Sequence, residues 1–261
     1  MTEEISESAQ VRYEVDGPVA RLVLARPEKL NAVGVSMYTD IVAAMKEYEA
    51  DDARRILVLS ADGPNFCAGR DMMEQAAAGA EGWLDAYDPS VTQLGFPPSS
   101  KIVISSARGY ALGLGAYLLC TGDVRLASST LRFGMRELPT GALGPYWIGA
   151  AELLPRGLAF RIAIGDDIPV EELGRAHLLT EVVQDDDLEA TTERWVEKLL
   201  RLPPQHLQET KRLAAKVDAF EYSAQLREDE LATRFRLLAL DDTVEAAMAF
   251  MQKRPPVYTG H

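Results

Sequence analysis

Two near-continuous aliphatic runs, Val19 to Ala25 and Arg55 to Ser60, read as buried strands. Between them, Met37 to Tyr48 spaces its apolar residues as one face of a helix does. Ile102 to Ser105 and Asp123 to Ala127 supply two more strands, with Leu114 to Thr121 as a short helix between them. Strands alternating with helices predict an α/β architecture with right-handed crossovers. From about Asp185 onward strand signals vanish, and Leu188–Leu202, Gln205–Val217 and Val244–Arg254 read as helices. The pattern therefore predicts a core domain over 1–200 followed by a C-terminal helical region over 201–261.

Two small-residue turns interrupt this pattern where an apolar run ends and a helix begins. One is Phe66-Cys67-Ala68-Gly69-Arg70-Asp71, and the other is Arg108-Gly109-Tyr110-Ala111-Leu112-Gly113-Leu114-Gly115. The first amides of a helix have no intrahelical acceptor, so each turn can present a backbone N–H to an oxyanion. Two such donors aimed at one point would form an oxyanion hole. Either turn alone is equally what a tight structural glycine turn looks like.

The two turns, in this order, resemble the enoyl-CoA hydratase/isomerase (crotonase) family. The resemblance starts at Leu24-Ala25-Arg26-Pro27-Glu28-Lys29-Leu30-Asn31-Ala32 and continues through both turns. It then runs through Phe133-Gly134-Met135-Arg136-Glu137-Leu138-Pro139-Thr140-Gly141 and Ile164-Gly165-Asp166-Asp167-Ile168, and closes at Ala249-Phe250-Met251-Gln252-Lys253-Arg254-Pro255. It implies a crotonase-type spiral of ββα units and a C-terminal helical region that assembles homotrimers or dimers of trimers. It also implies an acyl-CoA substrate, with coenzyme A as part of the thioester and no tightly bound cofactor. By position, the family's oxyanion amides fall on Arg70 and Leu114, and its CoA-contacting main chain on Lys29, Leu30, Ala68 and Arg70. Lys253 and Arg254 either reach the CoA phosphates or form a solvated helix end.

The chain departs from the family's hydratases at two places. These carry two glutamates; the second falls on Glu137, but the first, three residues after Leu114, is Tyr117 here. One carboxylate suffices to take a proton from one carbon and return it to another, whereas holding and splitting a water normally uses two. Glu137 is thus expected to serve as base and acid, unless it is an ordinary turn carboxylate. The second departure is Gly144-Pro145-Tyr146-Trp147-Ile148-Gly149, where hydratases have a glycine run that helps to hold water. Pro145 has no N–H to give. Tyr146 and Trp147 are either core or the lining of a dry acyl pocket that raises the pKa of Glu137. The expected activity is a Δ3,Δ2-enoyl-CoA isomerase, with enoyl-CoA hydratase as the alternative. Hydrolysis, decarboxylation, dehalogenation and a catalytically weak CoA-binding subunit also remain open, because one scaffold hosts many chemistries.

Composition narrows the partners. The 261 residues carry a net charge of −13, which opposes general binding to nucleic acid or to an anionic membrane. No apolar run approaches the roughly 20 residues of a membrane span, and the polar start lacks a signal-peptide core, so a cytoplasmic protein is expected. The two cysteines, Cys67 and Cys120, and the three histidines, His177, His206 and His261, have no metal-ligand spacing. No metal site is expected, and Cys67, with no histidine nearby in sequence, reads as structural rather than nucleophilic.

Overall fold

A computed structural model describes residues 3–7, 10–74, 76–77, 96–142, 154–218, 232, 235, 238–254 and 257. In chain order the elements are β1 (Glu3–Glu7), β2 (Val11–Asp16), β3 (Val19–Leu24), α1 (Val35–Ala50), β4 (Ile56–Ala61) and β5 (Ile102–Ala107). There follow β6 (Tyr110–Leu112), α2 (Leu114–Cys120), β7 (Val124–Ser128), β8 (Arg132–Gly134), α3 (Arg156–Ala163) and α4 (Val170–Arg175). The last are β9 (Glu181–Val183), α5 (Leu188–Leu200), α6 (Pro204–Asp218) and α7 (Asp241–Gln252). No helix among the described residues is long and apolar enough to cross a membrane.

A seven-stranded sheet runs in the order β1-β2-β3-β4-β5-β7-β9, antiparallel through the first three strands and parallel from β3 onward. The parallel strands read as aliphatic runs because helices cover both faces of such a sheet. On one face, Val19, Ile56, Val58, Ile102, Ile104, Val124 and Leu126 form a buried cluster with Leu188, Val196 and Leu199 of α5. The alternate positions, among them Leu22, Leu57, Leu59 and Val103, are also buried. In the same way α1 buries Met37, Tyr38, Ile41, Val42, Ala44, Met45 and Tyr48, the face anticipated from its spacing.

The sequence pattern did not single out β1, β2, β6, β8 or β9. In β2, which pairs with β1 on one side and β3 on the other, the burial alternates as in a strand with one covered face, so it contains no continuous apolar run. β6, β8 and β9 span only three residues each, too few to establish a period, and β1, EEISE, has a single apolar residue.

Contacts divide the chain into two compact units, one of Met1–Phe133 with Pro169–Asp218, the other of Gly134–Ile168 with Ala219–His261. The first holds the seven-stranded sheet. In the second, α7 packs its buried Ala246 and Ala249 toward a 3₁₀ turn at Leu138–Thr140. That approach needs a glycine at Gly141, where φ is +78° and a Cβ would meet the Ala246 Cβ at 2.7 Å.

One buried cation fastens α1 to the sheet. Lys101 is 4% exposed, and its Nζ donates to the carbonyls of Tyr48, at 2.8 Å, and Asp51, at 2.7 Å. These are oxygens of the last turn of α1 and of its C-cap, where a helix favours positive charge. Lys101→Met keeps the apolar stem and deletes the ammonium. It is expected to destabilise the protein by about 3 kcal/mol, read as a lower urea midpoint with unchanged slope.

Candidate active site

The loop after β3 is shaped by two left-handed residues, Leu30 at φ 54° and Asn31 at φ 53°. Asparagine tolerates this conformation better than most side chains. Here it is fully buried, and its side chain serves both sides of the loop. Oδ1 accepts the Arg26 N–H at 2.7 Å, while Nδ2 donates to the carbonyls of Asp62 at 3.0 Å and Asn65 at 2.8 Å. The loop is then sewn to the first small-residue turn by three backbone bonds. Ala68 N–H donates to Leu30 O at 3.0 Å, Val33 N–H to Gly69 O at 2.8 Å, and Asp71 N–H to Val33 O at 2.9 Å. Lys29, Leu30, Ala68 and Arg70, widely separated in sequence, thus lie along two joined segments.

Asp71 fixes the far side of that turn. Its carboxylate accepts the amides of Met73 at 3.1 Å and Glu74 at 3.2 Å, capping the helical residues that follow, and also takes Arg26 Nη1 at 3.0 Å. Burial works to raise the Asp71 pKa, but these two amides and the Arg26 guanidinium outweigh it and hold the carboxyl below its usual range. Asp71 and Arg26 were visible in the motifs without a role. The signal that could have supplied one is the Asp-x-x-Glu spacing of Asp71 and Glu74, a helix-start pattern.

The second turn lies against the first. Gly69 has φ +104°, and a Cβ placed there would come to 3.0 Å from Leu112 O and 3.8 Å from Leu114 N. A Cβ at Gly115 would run into the carbonyl oxygen of Cys67. Two glycines, one in each turn, are therefore what let the backbones approach. Leu114 is the first residue of α2, behind Gly113 at φ 50°, where no intrahelical acceptor exists for its N–H. The turn that carries Arg70 thus lies, at Gly69, against the backbone of Leu112 and Leu114. Tyr117, on the next turn of α2, is 4% exposed.

Cys67 lies in the first turn, opposite Ala111 of the second, and is not poised to react. It is fully buried, and burial pushes its thiol up to about 12, against a weak contact from the Gly69 N–H. In the native protein at neutral pH, iodoacetamide is expected to leave Cys67 unmodified. Mass mapping that found it alkylated as fast as after unfolding would contradict this.

A family model described as enoyl-CoA hydratase/isomerase matches residues 14–261. The chain belongs to the enoyl-CoA hydratase/isomerase family. Among curated relatives, a 1,2-epoxyphenylacetyl-CoA isomerase of Escherichia coli K12 is 29% identical, covering 94% of this chain and 97% of its own. A probable enoyl-CoA hydratase of Rhodobacter capsulatus is 30% identical, over 96% and 98%. Among solved structures, a carnitinyl-CoA hydratase from Mycobacterium avium superposes with a TM-score of 0.85 at 26% identity, covering 98% of this chain and 100% of its own. The fold is thus the crotonase fold, α/β with a parallel-rich sheet. The protein is an acyl-CoA enzyme of the hydratase/isomerase type.

In this hydratase/isomerase-family chain the remaining expected site residues belong to the second unit. Glu137 stands at the start of the 3₁₀ turn Leu138–Thr140, partly exposed, with its carboxylate accepting the Arg136 N–H at 2.9 Å. The Arg136 side chain in turn donates to Gly165 O at 2.7 Å and to Asp167 Oδ1 at 2.6 Å, and Thr140 Oγ1 donates to Arg136 O at 2.7 Å. Lys253 ends α7 in the left-handed conformation, φ 53°, and is exposed. Arg254 grips the Glu245 carboxylate with two nitrogens, at 2.6 and 2.8 Å, and this contact lowers that carboxyl to about 2. Pro145, Tyr146 and Trp147 lie outside the described residues.

Proposed function

We propose that this family member moves the double bond of a 3-enoyl-CoA to the 2-enoyl position. Glu137 takes a proton from the carbon next to the thioester carbonyl. Negative charge passes to the carbonyl oxygen, where the Arg70 and Leu114 amides receive it. The same carboxyl then returns the proton two carbons further along, leaving a conjugated thioester and a regenerated base. The observation that carries this reading is Tyr117. Where a hydratase holds its first glutamate, this chain places a buried phenol, so a single carboxylate remains for proton transfer.

The CoA portion, in this reading, runs along Lys29, Leu30, Ala68 and Arg70, with Lys253 meeting a phosphate. The sewing of the Leu30 loop to the Ala68 turn supports the first four. The region 201–261 is read as the assembly surface of a trimer or dimer of trimers. In support, α7 turns Val244, Met248 and Met251 outward, at 56%, 42% and 64% exposure.

A second reading, hydration of a 2-enoyl-CoA, is favoured by the relatives. Besides the Rhodobacter protein, a 2,3-dehydroadipyl-CoA hydratase of Escherichia coli is 28% identical over 93% of this chain. There Tyr117 would hold the attacking water. Incubating the enzyme with 2-enoyl- and 3-enoyl-CoA esters in heavy water separates the two. Isomerisation yields a product of the substrate's composition, with deuterium in place of hydrogen where the solvent exchanges. Hydration adds a whole water and sinks the first reading if it dominates.

A further inference from the structure

The two turns are held in register by an irregular ladder between residues 65–67 and 108–112. Phe66 N–H donates to Arg108 O at 2.8 Å, and the very next amide, Cys67 N–H, donates to Tyr110 O at 2.6 Å. One step on the first segment therefore faces two on the second, which is a β-bulge, and the extra residue is Gly109 at φ 56°. Beyond the bulge the ladder becomes regular, with Leu112 N–H on Cys67 O at 3.0 Å and Cys67 opposite Ala111. The bulge thus decides which residue of the second segment faces the first turn.

What holds it is the side chain of Asn65. In an undisturbed parallel ladder the Tyr110 N–H would bond to the Asn65 carbonyl. That carbonyl is taken by Asn31 Nδ2, and the Tyr110 N–H goes instead to Asn65 Oδ1 at 3.1 Å. The displaced Gly109 N–H is taken from the other side by Thr130 Oγ1 at 3.3 Å. Gly109 leaves room for this: a Cβ there would sit 2.5 Å from Asn65 Oδ1 and collide with Pro64 O.

We infer that Asn65 is a positioning residue for the oxyanion site, its side-chain oxygen locking the Gly109 bulge and so setting the Leu114 amide against the Arg70 turn. The inference rests on the oxyanion reading above. A misplacement on the order of 1 Å is enough to cost much of such a donor's effect. The role acts through the backbone and leaves Asn65 out of contact with substrate.

The test is the infrared carbonyl band of bound acetyl-CoA isotopically labelled at the carbonyl carbon, since aligned donors lower its frequency. The native protein should show a clear downshift. Asn65→Asp, which keeps an acceptor oxygen for Tyr110, should retain it, while Asn65→Ala should lose most of it. Affinity for CoA itself, which has no acyl carbonyl, should be the same in all three. If Asn65→Ala does not fold, Asn65→Ser, whose shorter hydroxyl stops short of Tyr110, makes the same comparison. A full downshift in the Ala or Ser variant, or equal loss in the Asp variant, would overturn the inference while leaving the oxyanion reading intact. No downshift in the native protein would remove both.

Discussion

Leu114→Pro is expected to reduce turnover of an acyl-CoA substrate by about 10²–10³-fold, the effect typical of deleting one oxyanion donor. The change removes the N–H and also shortens a buried side chain, so the folded fraction of the variant has to be measured beside its rate. Leu114 is the first residue of α2, a position at which proline's fixed φ suits the helix and its missing donor costs no helical bond. The necessary control is set by packing. Leu114 is 2% exposed, so truncation to alanine would open a cavity and confuse a stability loss with a catalytic one. Leu114→Met nearly conserves volume, keeps the amide and should keep most of the activity. Equal rates in the Pro and Met variants, both folded by circular dichroism, would mean that this amide carries none of the chemistry.

Glu137→Gln should lose at least about 10²-fold in turnover while binding acyl-CoA as before, because the amide cannot accept the proton. Local structure should survive. The carboxylate's described bond is the Arg136 N–H, which the glutamine oxygen accepts equally well, and the turn itself is braced by Gly141 against α7. The companion variant is Tyr117→Phe. With one carboxylate doing all the proton transfer, losing the phenol oxygen should cost less than about tenfold in isomerisation. With Tyr117 holding a water, the same variant should fail severely in hydration. Rate measurements on 3-enoyl- and 2-enoyl-CoA with both variants therefore assign the roles from two directions.

The parts of this fold legible in the sequence are those where one physical signal dominates. The interior strands β3, β4, β5 and β7 are aliphatic because both faces are covered, and α1 shows its period because its inner face meets a sheet. The antiparallel strand β2 is not legible in this way, because its alternation leaves every second residue partly exposed. The candidate site divided similarly. Its glycines announce a close approach of backbones, and the left-handed Gly69 and the tightly packed Gly115 are where that approach occurs. The polar wiring behind them did not announce itself. Asn31 and Asn65 act through bonds to backbone atoms far away in sequence, Asn31 to the Asn65 carbonyl and Asn65 to the Tyr110 N–H, and a side chain's type says nothing about which distant backbone group it will meet.

The route of the chain through the first unit has a consequence during synthesis. β7 ends at Ser128, yet the strand that pairs with its free edge, β9, begins at Glu181, and α5, which covers Val58, Ile104 and Leu126, begins at Leu188. At a translation rate of about 5–20 residues per second, the nascent sheet waits several seconds with one aliphatic face and one parallel edge bare. A ribosome stalled between Ser128 and Glu181 would therefore hold a sticky, half-finished protein, and this interval is where holding chaperones should be found on the emerging chain.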